Sequence, residues 1–483
     1  VSAPGTDVAG APAGGATAAG VREVRSRLRR LRRRHHSKSL GDLLSDLYLF
    51  ALLAALYGWA FVDMGRDFLG STTVSAGDPA EQRWLVIAAV LTAAGFGWAG
   101  LRALGPVFVG PALQSWVASA PIDRRALLLP RFAGLLTGAS AVVALLGFLF
   151  GVLSGIAAGG SGLGPGTVDG TLLGAAIGLL AGAGAVVAQG VRRARWAAEL
   201  PGRVPIVAGA LIAGAVVTLH FAGGTPMPRP AGSVPPAVPP LVFAAAGTAV
   251  VFAVRALRRL DRSTTTTGAQ FASSAAAAAV MLDPTLVADL LEVRRWRALG
   301  RVRSGRFRGG PRWWVLTQAE LRRAVRRRGA LLGWAALVLV QYAVALAVPG
   351  LAGPAHLLTA FLAGDRLAGG LRAITRSPGL RRALGGGDTE LKLAHLAVPA
   401  LATVLFFLIT LPVAGDRQLL VSAVLLLGVA GAVYRSGTRP ALVYDGPIVE
   451  TPFGLIPVDL LRQLWRGWDV VALLVVVDLI ATR

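Results

Sequence analysis

The stretch FAGLLTGASAVVALLGFLFGVLSGIAA, Phe132 to Ala158, carries no charged side chain. It is longer than the roughly 20 apolar residues an α-helix needs to cross the hydrocarbon of a bilayer. Outward from it, the same rule picks out Leu47 to Val62, Trp84 to Leu104, Thr171 to Val191, Val204 to Phe221, Pro239 to Val254, Gly329 to Val348, Leu351 to Leu371, Leu396 to Val413, Leu419 to Val433 and Val470 to Ala481. The reading is an all-α polytopic membrane protein of about 11 transmembrane helices. The composition agrees: of 483 residues 54% are hydrophobic and 15% charged, with a mean hydropathy of +0.62, far from the mixture of a soluble domain.

The net charge of +24 is nearly all arginine, the lysines being Lys38 and Lys392. With abundant Ala, Gly and Val, this suggests a GC-rich bacterial genome, actinobacterial in kind. Positive charge collects on the cytoplasmic side of membrane proteins, and the loops sort by it. An inner set holds the basic run Val21 to Arg34, then Arg124, Arg125 and Arg131, then Arg192 to Arg203, Arg255 to Arg328, Arg366 to Lys392, and Arg435 to Arg466. The alternate loops are acidic or nearly uncharged, as in Gly159 to Gly170 with Asp169 and Gly223 to Val238 with Arg229. The expectation is a bacterial plasma-membrane protein with a cytoplasmic N-terminus. Val74-Ser75-Ala76 lies too far beyond the first apolar run for signal cleavage, so that run is read as an uncleaved span.

Five regions follow. Residues 1–20, Ala-, Gly- and Pro-rich, read as a disordered tail, and 21–46 as a basic amphipathic approach. Residues 47–254 form a first membrane half of six spans, 255–328 a cytoplasmic connector, and 329–483 a second half of about five spans. Because six spans return the chain to its starting side, the two halves are parallel rather than inverted, degenerate six-span-like repeats. Glycines recur at four-residue spacing in two consecutive spans, as Gly147, Gly151 and Gly155 and as Gly174, Gly178 and Gly182. That spacing lets helix backbones approach closely.

Each half carries an inner loop between its second and third spans. The first reads Gly110-Pro111-Ala112-Leu113 and continues to Ala120-Pro121-Ile122-Asp123-Arg124-Arg125-Ala126-Leu127. The second reads Ser377-Pro378-Gly379-Leu380-Arg381-Arg382, then Gly385-Gly386-Gly387-Asp388. Both combine a proline suited to a first helical turn, a break, and an aspartate placed to cap the next helix. The connector adds Asp283-Pro284 before an apolar stripe of Leu286, Leu290 and Val293, and Trp313-Trp314 before a basic amphipathic segment.

The chemistry this chain lacks is equally legible. With no cysteine there are no disulfides or thiolate sites. Neither lysine follows glycine in a P-loop, and His35, His36, His220, His356 and His395 form no His-Glu-x-x-His. The expectation is no enzyme, no cofactor and no metal. His220, His356 and His395 read as interfacial imidazoles. Asp365 and Asp478 are the ionisable candidates within spans. The Arg294 to Arg328 cluster is read as topological charge rather than a nucleic-acid site.

The run Ala118-Ser119-Ala120-Pro121-Ile122-Asp123-Arg124-Arg125-Ala126-Leu127 resembles the inner loop of ABC type-2 exporter permeases. That family is built on six-span halves, and its loop carries a coupling helix that docks on a separate ATPase subunit. The resemblance implies a docking role for Asp123, Arg124 and Arg125, with Arg381, Arg382 and Asp388 as the second-half counterparts. It also implies transport of an unidentified substrate with a separately encoded ATPase, within the lipid bilayer and compatible with a homodimer. The alternative is a non-transporting membrane scaffold or assembly protein that keeps a permease-like fold.

Overall fold

The computed structural model describes residues 78–109, 123–157, 164–190, 195–223, 237–260, 305–415, 418–440, 448–451, 454–457, 462–463 and 465–481, with isolated positions at 26, 265, 268–269 and 293. The expected first span Leu47 to Val62, the N-terminal tail, the loop 110–122 and, apart from Ser26 and Val293, the basic run and the helix after Asp283 lie outside these residues.

The described chain is helical. Its elements are α1 Pro79–Leu104, α2 Arg124–Ala157, α3 Pro165–Gly190, α4 Arg195–Phe221, α5 Val238–Ala256, α6 Arg312–Arg326, α7 Arg328–Ala347, α8 Ala352–Leu367, α9 Gly369–Arg376, α10 Pro378–Leu384, α11 Asp388–Thr410, α12 Leu419–Gly437 and α13 Trp468–Ala481. One antiparallel ribbon, β1 Ile448–Thr451 with β2 Gly454–Pro457, pairs Val449 with Ile456, an addition to the all-helical expectation. Among the described residues, eight helices are long and apolar enough to cross a membrane: α1 to α5, α7, α11 and α12. Such helices mark a membrane protein. The longest, α2, has 34 residues, a length of about 51 Å at 1.5 Å per residue. It overshoots a hydrocarbon core of about 30 Å.

Two expected spans are corrected. Leu351 to Leu371 is not one helix but α8 and α9, separated at Ala368. Here the Gly370 N–H donates to the Glu320 carboxylate, 3.0 Å away, and a Cβ at Gly370 would collide with that carboxylate. A residue distant in sequence thus meets the chain just after the break. The last apolar run forms α13, whose 14 residues reach about 21 Å, less than the hydrocarbon thickness.

The chain divides into two compact units. One is drawn from Val1–Ser71, Ala94–Val204 and Ala231–Ser274, the other from Thr72–Ala93, Pro205–Pro230 and Ala275–Arg483. In the first, α2 and α3 meet along a glycine seam. A methyl at Gly147 would overlap the carbonyl of Gly170, one at Gly151 would sit 2.6 Å from Thr167 Cα, and ones at Gly174 and Gly178 would strike the carbonyls of Val143 and Ala139. Gly182 faces Leu136 and Ala139. Gly155 lies on α2, its surroundings outside the described residues. Leu128, Phe132, Val186, Ala253 and Leu257 close the core where α5 joins the pair.

In the second unit, Leu357, Phe361, Phe406, Phe407, Leu425, Val429, Val433 and Leu474 form the core of α8, α11, α12 and α13. Phe361 meets Trp468 edge-on, with centroids 5.0 Å apart. Small residues again set the approach: Gly364 faces Thr403, and Gly428 faces Leu474.

Candidate docking platform

At the arginine-rich ends of α7, α8, α11 and α12 the second unit carries short helices instead of open loops. The segment α6 is amphipathic. Leu316, Gln318, Glu320 and Ala324 face inward, and Leu316 packs with Leu371, Ile374, Leu391 and Ala394 from α9 and α11.

Glu320 is the one carboxylate on that inward face, 2% exposed. Burying a charge is costly unless it is paired and hydrogen-bonded, and here it is both. One oxygen accepts from Gly370 N, and the other lies 3.1 Å from His395 Nδ1 on α11. Arg323 Nη1 stands 4.0 Å away. Gly370 is in the first turn of α9, so the carboxylate also meets the positive end of that helix. One side chain thus ties α6, α9 and α11 together. His395 is 7% exposed, and its inward position against Glu320 corrects the interfacial reading.

Further ties hold the same corner. Arg312 donates to the carbonyls of Leu384 (3.0 Å) and Gly385, and stands 3.6 Å from Glu390. Gly385 and Gly386 both have positive φ, at 68° and 72°, which glycine adopts without steric cost. That turn joins α10 to α11. Ser377 caps α10 by accepting from Leu380 N at 3.2 Å, and Pro378 fills the first helical position.

The expected docking residues fall as follows. Arg381 pairs with Asp388 at 2.8 Å, and Arg382 is exposed on the same short helix. Asp388 was expected to cap α11, but it is the helix's first residue, Gly387 holds the cap position, and the carboxylate turns to Arg381 instead. In the first unit Asp123 does cap α2, accepting from Arg125 N at 3.1 Å. Arg124 Nη1 reaches the carbonyl of Leu260 at 3.3 Å. Gly110 to Ile122 lie outside the described residues.

Asp365, at the arginine-rich end of α8, is bound within the protein: Arg372 Nη1 lies 2.8 Å from it and Ser436 Oγ donates to it at 2.8 Å. Asp478 is 1% exposed, on the face of α13 that carries Val471 and Leu474. His356 is fully buried, its ring 4.2 Å from that of Phe407. His220 pairs with Glu81 at 3.0 Å. Asp469, just before the apolar run of α13, takes three hydrogen bonds from the Arg435 guanidinium. These, with the Gly467 and Val470 backbone amides, hold its carboxyl below the usual carboxylate range. No group of three or more His, Cys, Asp or Glu converges among the described residues.

Sequence reading missed Glu320. The available signal was a lone acid on the inward stripe of an otherwise basic amphipathic helix. Such a position implies a buried partner.

No curated protein and no solved structure matches this chain. A family model does match, over residues 75–447, a stretch that holds α1 to α12 of both units. The chain belongs to that family, DUF6297, a family of unknown function.

Proposed function

We propose that this protein is the membrane-spanning permease subunit of an ABC-type exporter whose ATPase is a separate chain, set in a bacterial plasma membrane with its arginine-rich ends and N-terminus toward the cytoplasm. The observation that carries the reading is α10. It is a seven-residue helix with Arg381 and Arg382, held against the start of a spanning helix by Arg312, the Gly385-Gly386 turn and the Arg381–Asp388 pair. A short, braced, basic helix at the end of a span transmits force between a docked subunit and the membrane. The sequence likeness of the Asp123-Arg124-Arg125 loop supports the same assignment in the first unit.

A second reading, a non-transporting scaffold with a permease-like fold, draws on Asp365. Its carboxylate is engaged by Arg372 and Ser436 rather than left to meet a substrate.

Affinity purification of the intact protein in mild detergent separates the two. The exporter reading expects a nucleotide-binding subunit to come with it, and to be lost from both Arg381→Glu/Arg382→Glu and Arg124→Glu/Arg125→Glu. Recovery without such a subunit favours the scaffold.

A further inference from the structure

Beside α10, the outward side of α6 has a composition that docking of an ATPase does not use. Trp314, Leu321 and Val325 are between 39% and 56% exposed there, and Phe307, just before the helix, is 49% exposed. The extended segment before the helix is folded back along it. Gln318 makes two backbone hydrogen bonds to Arg308, both 3.0 Å, and Arg322 donates to the carbonyls of Gly305 (2.6 Å) and Arg306. Arg322 also stacks over the Phe307 ring, 4.4 Å from its centroid. This fixes Phe307, with the exposed Arg306 and Arg308, beside the helix, and the exposed Arg328 opens α7 directly after it.

Place and charge name the occupant. Only Arg327 separates α6 from the spanning helix α7, and its φ of −86° and ψ of 57° break the helix, so the two are not one rod. A helix joined by one residue to a span sits at the level of the lipid headgroups. Tryptophans favour that layer, apolar side chains dip beneath it, and arginines meet phosphates there.

We propose that α6 and the Gly305–Gly310 segment form an interfacial element that binds anionic phospholipid headgroups. Phe307, Trp314, Leu321 and Val325 enter the acyl boundary, and Arg306, Arg308 and Arg328 take the phosphates. This assignment does not depend on the exporter reading.

The absence of cysteine makes the test direct. The full chain, with Leu321→Cys or Val325→Cys carrying a bimane label, is placed in nanodiscs of phosphatidylcholine alone or with one-third phosphatidylglycerol added. Bromolipids serve as quenchers, and native mass spectrometry counts the lipids retained. Both probes are expected to be quenched by lipid. Phosphatidylglycerol is expected to be retained over phosphatidylcholine, with the preference falling about fivefold for each of Arg306, Arg308 and Arg328 replaced by Gln. These side chains are exposed, so monodisperse variants report binding rather than folding. Probes that stay in water, probes that become protected only on adding cytosolic protein, or equal retention of the two lipids would overturn the proposal.

Discussion

Glu320 and His395, 75 positions apart in sequence, meet at 3.1 Å and fasten an amphipathic helix to the first turns of a spanning one. The pair is nearly sealed from solvent, and its carboxylate also closes the N-terminus of a third helix. Removing one partner leaves the other buried and unsatisfied. Glu320→Ala should therefore cost about 3 kcal/mol and lower the melting temperature of the detergent-solubilised protein. Glu320→Gln, which keeps an acceptor for Gly370 N, should cost less. Equal losses from both would mean that the side chain acts by volume alone.

Gly370 gives a steric version of the same test. Gly370→Ala places a methyl onto the Glu320 carboxylate and should destabilise by about 1–3 kcal/mol. Gly387→Ala, with open space at its Cβ, should leave the melting temperature nearly unchanged.

How far the fold could be read follows from where each cause lies in the chain. Long apolar runs such as Phe132 to Ala158 announce themselves because the bilayer's demand acts locally. The Asp123 cap is legible for the same reason: its partner is two residues away. The contact that follows the break between Leu367 and Gly369 is not, because the Glu320 carboxylate that meets Gly370 lies some fifty positions upstream. Asp388 looks like a cap until Arg381 competes for it. His395 looks interfacial until α6 is seen lying over it. The ribbon Ile448 to Pro457 hid in a connection read simply as a long inner loop.

The glycine seam predicts a contrast between glycines inside it and glycines of α2 outside it. Gly174→Ala and Gly178→Ala drive a methyl into the backbone of α2, and each should destabilise the first unit by about 1–3 kcal/mol. Gly134→Ala and Gly138→Ala on α2 meet nothing within 4 Å and should be neutral or slightly stabilising, given alanine's higher helix propensity. Thermal unfolding of the four variants in one detergent checks the difference.

Asp469 should impose a pH dependence of known sign. Its folded-state pKa is lowered, chiefly by hydrogen bonds from Arg435. The stabilisation is therefore fully present above the unfolded carboxylate value of about 4 and is lost as pH falls through the lower folded value. The gap in melting temperature between the parent chain and Asp469→Asn should be open at pH 6 and narrow on acidification below about pH 4. A gap independent of pH would show that the pair's charge is immaterial.

The account rests on the braced helix α10 facing the cytoplasm while the far ends of the spans face outward. In the cysteine-free chain, Ala383→Cys on α10 and Gln418→Cys at the start of α12 place single thiols at opposite ends of the second unit's spans. A membrane-impermeant maleimide applied to intact cells should label Gln418→Cys and should reach Ala383→Cys only after the membrane is opened. Labelling of Ala383→Cys in sealed cells would put the platform on the outer side and contradict the account.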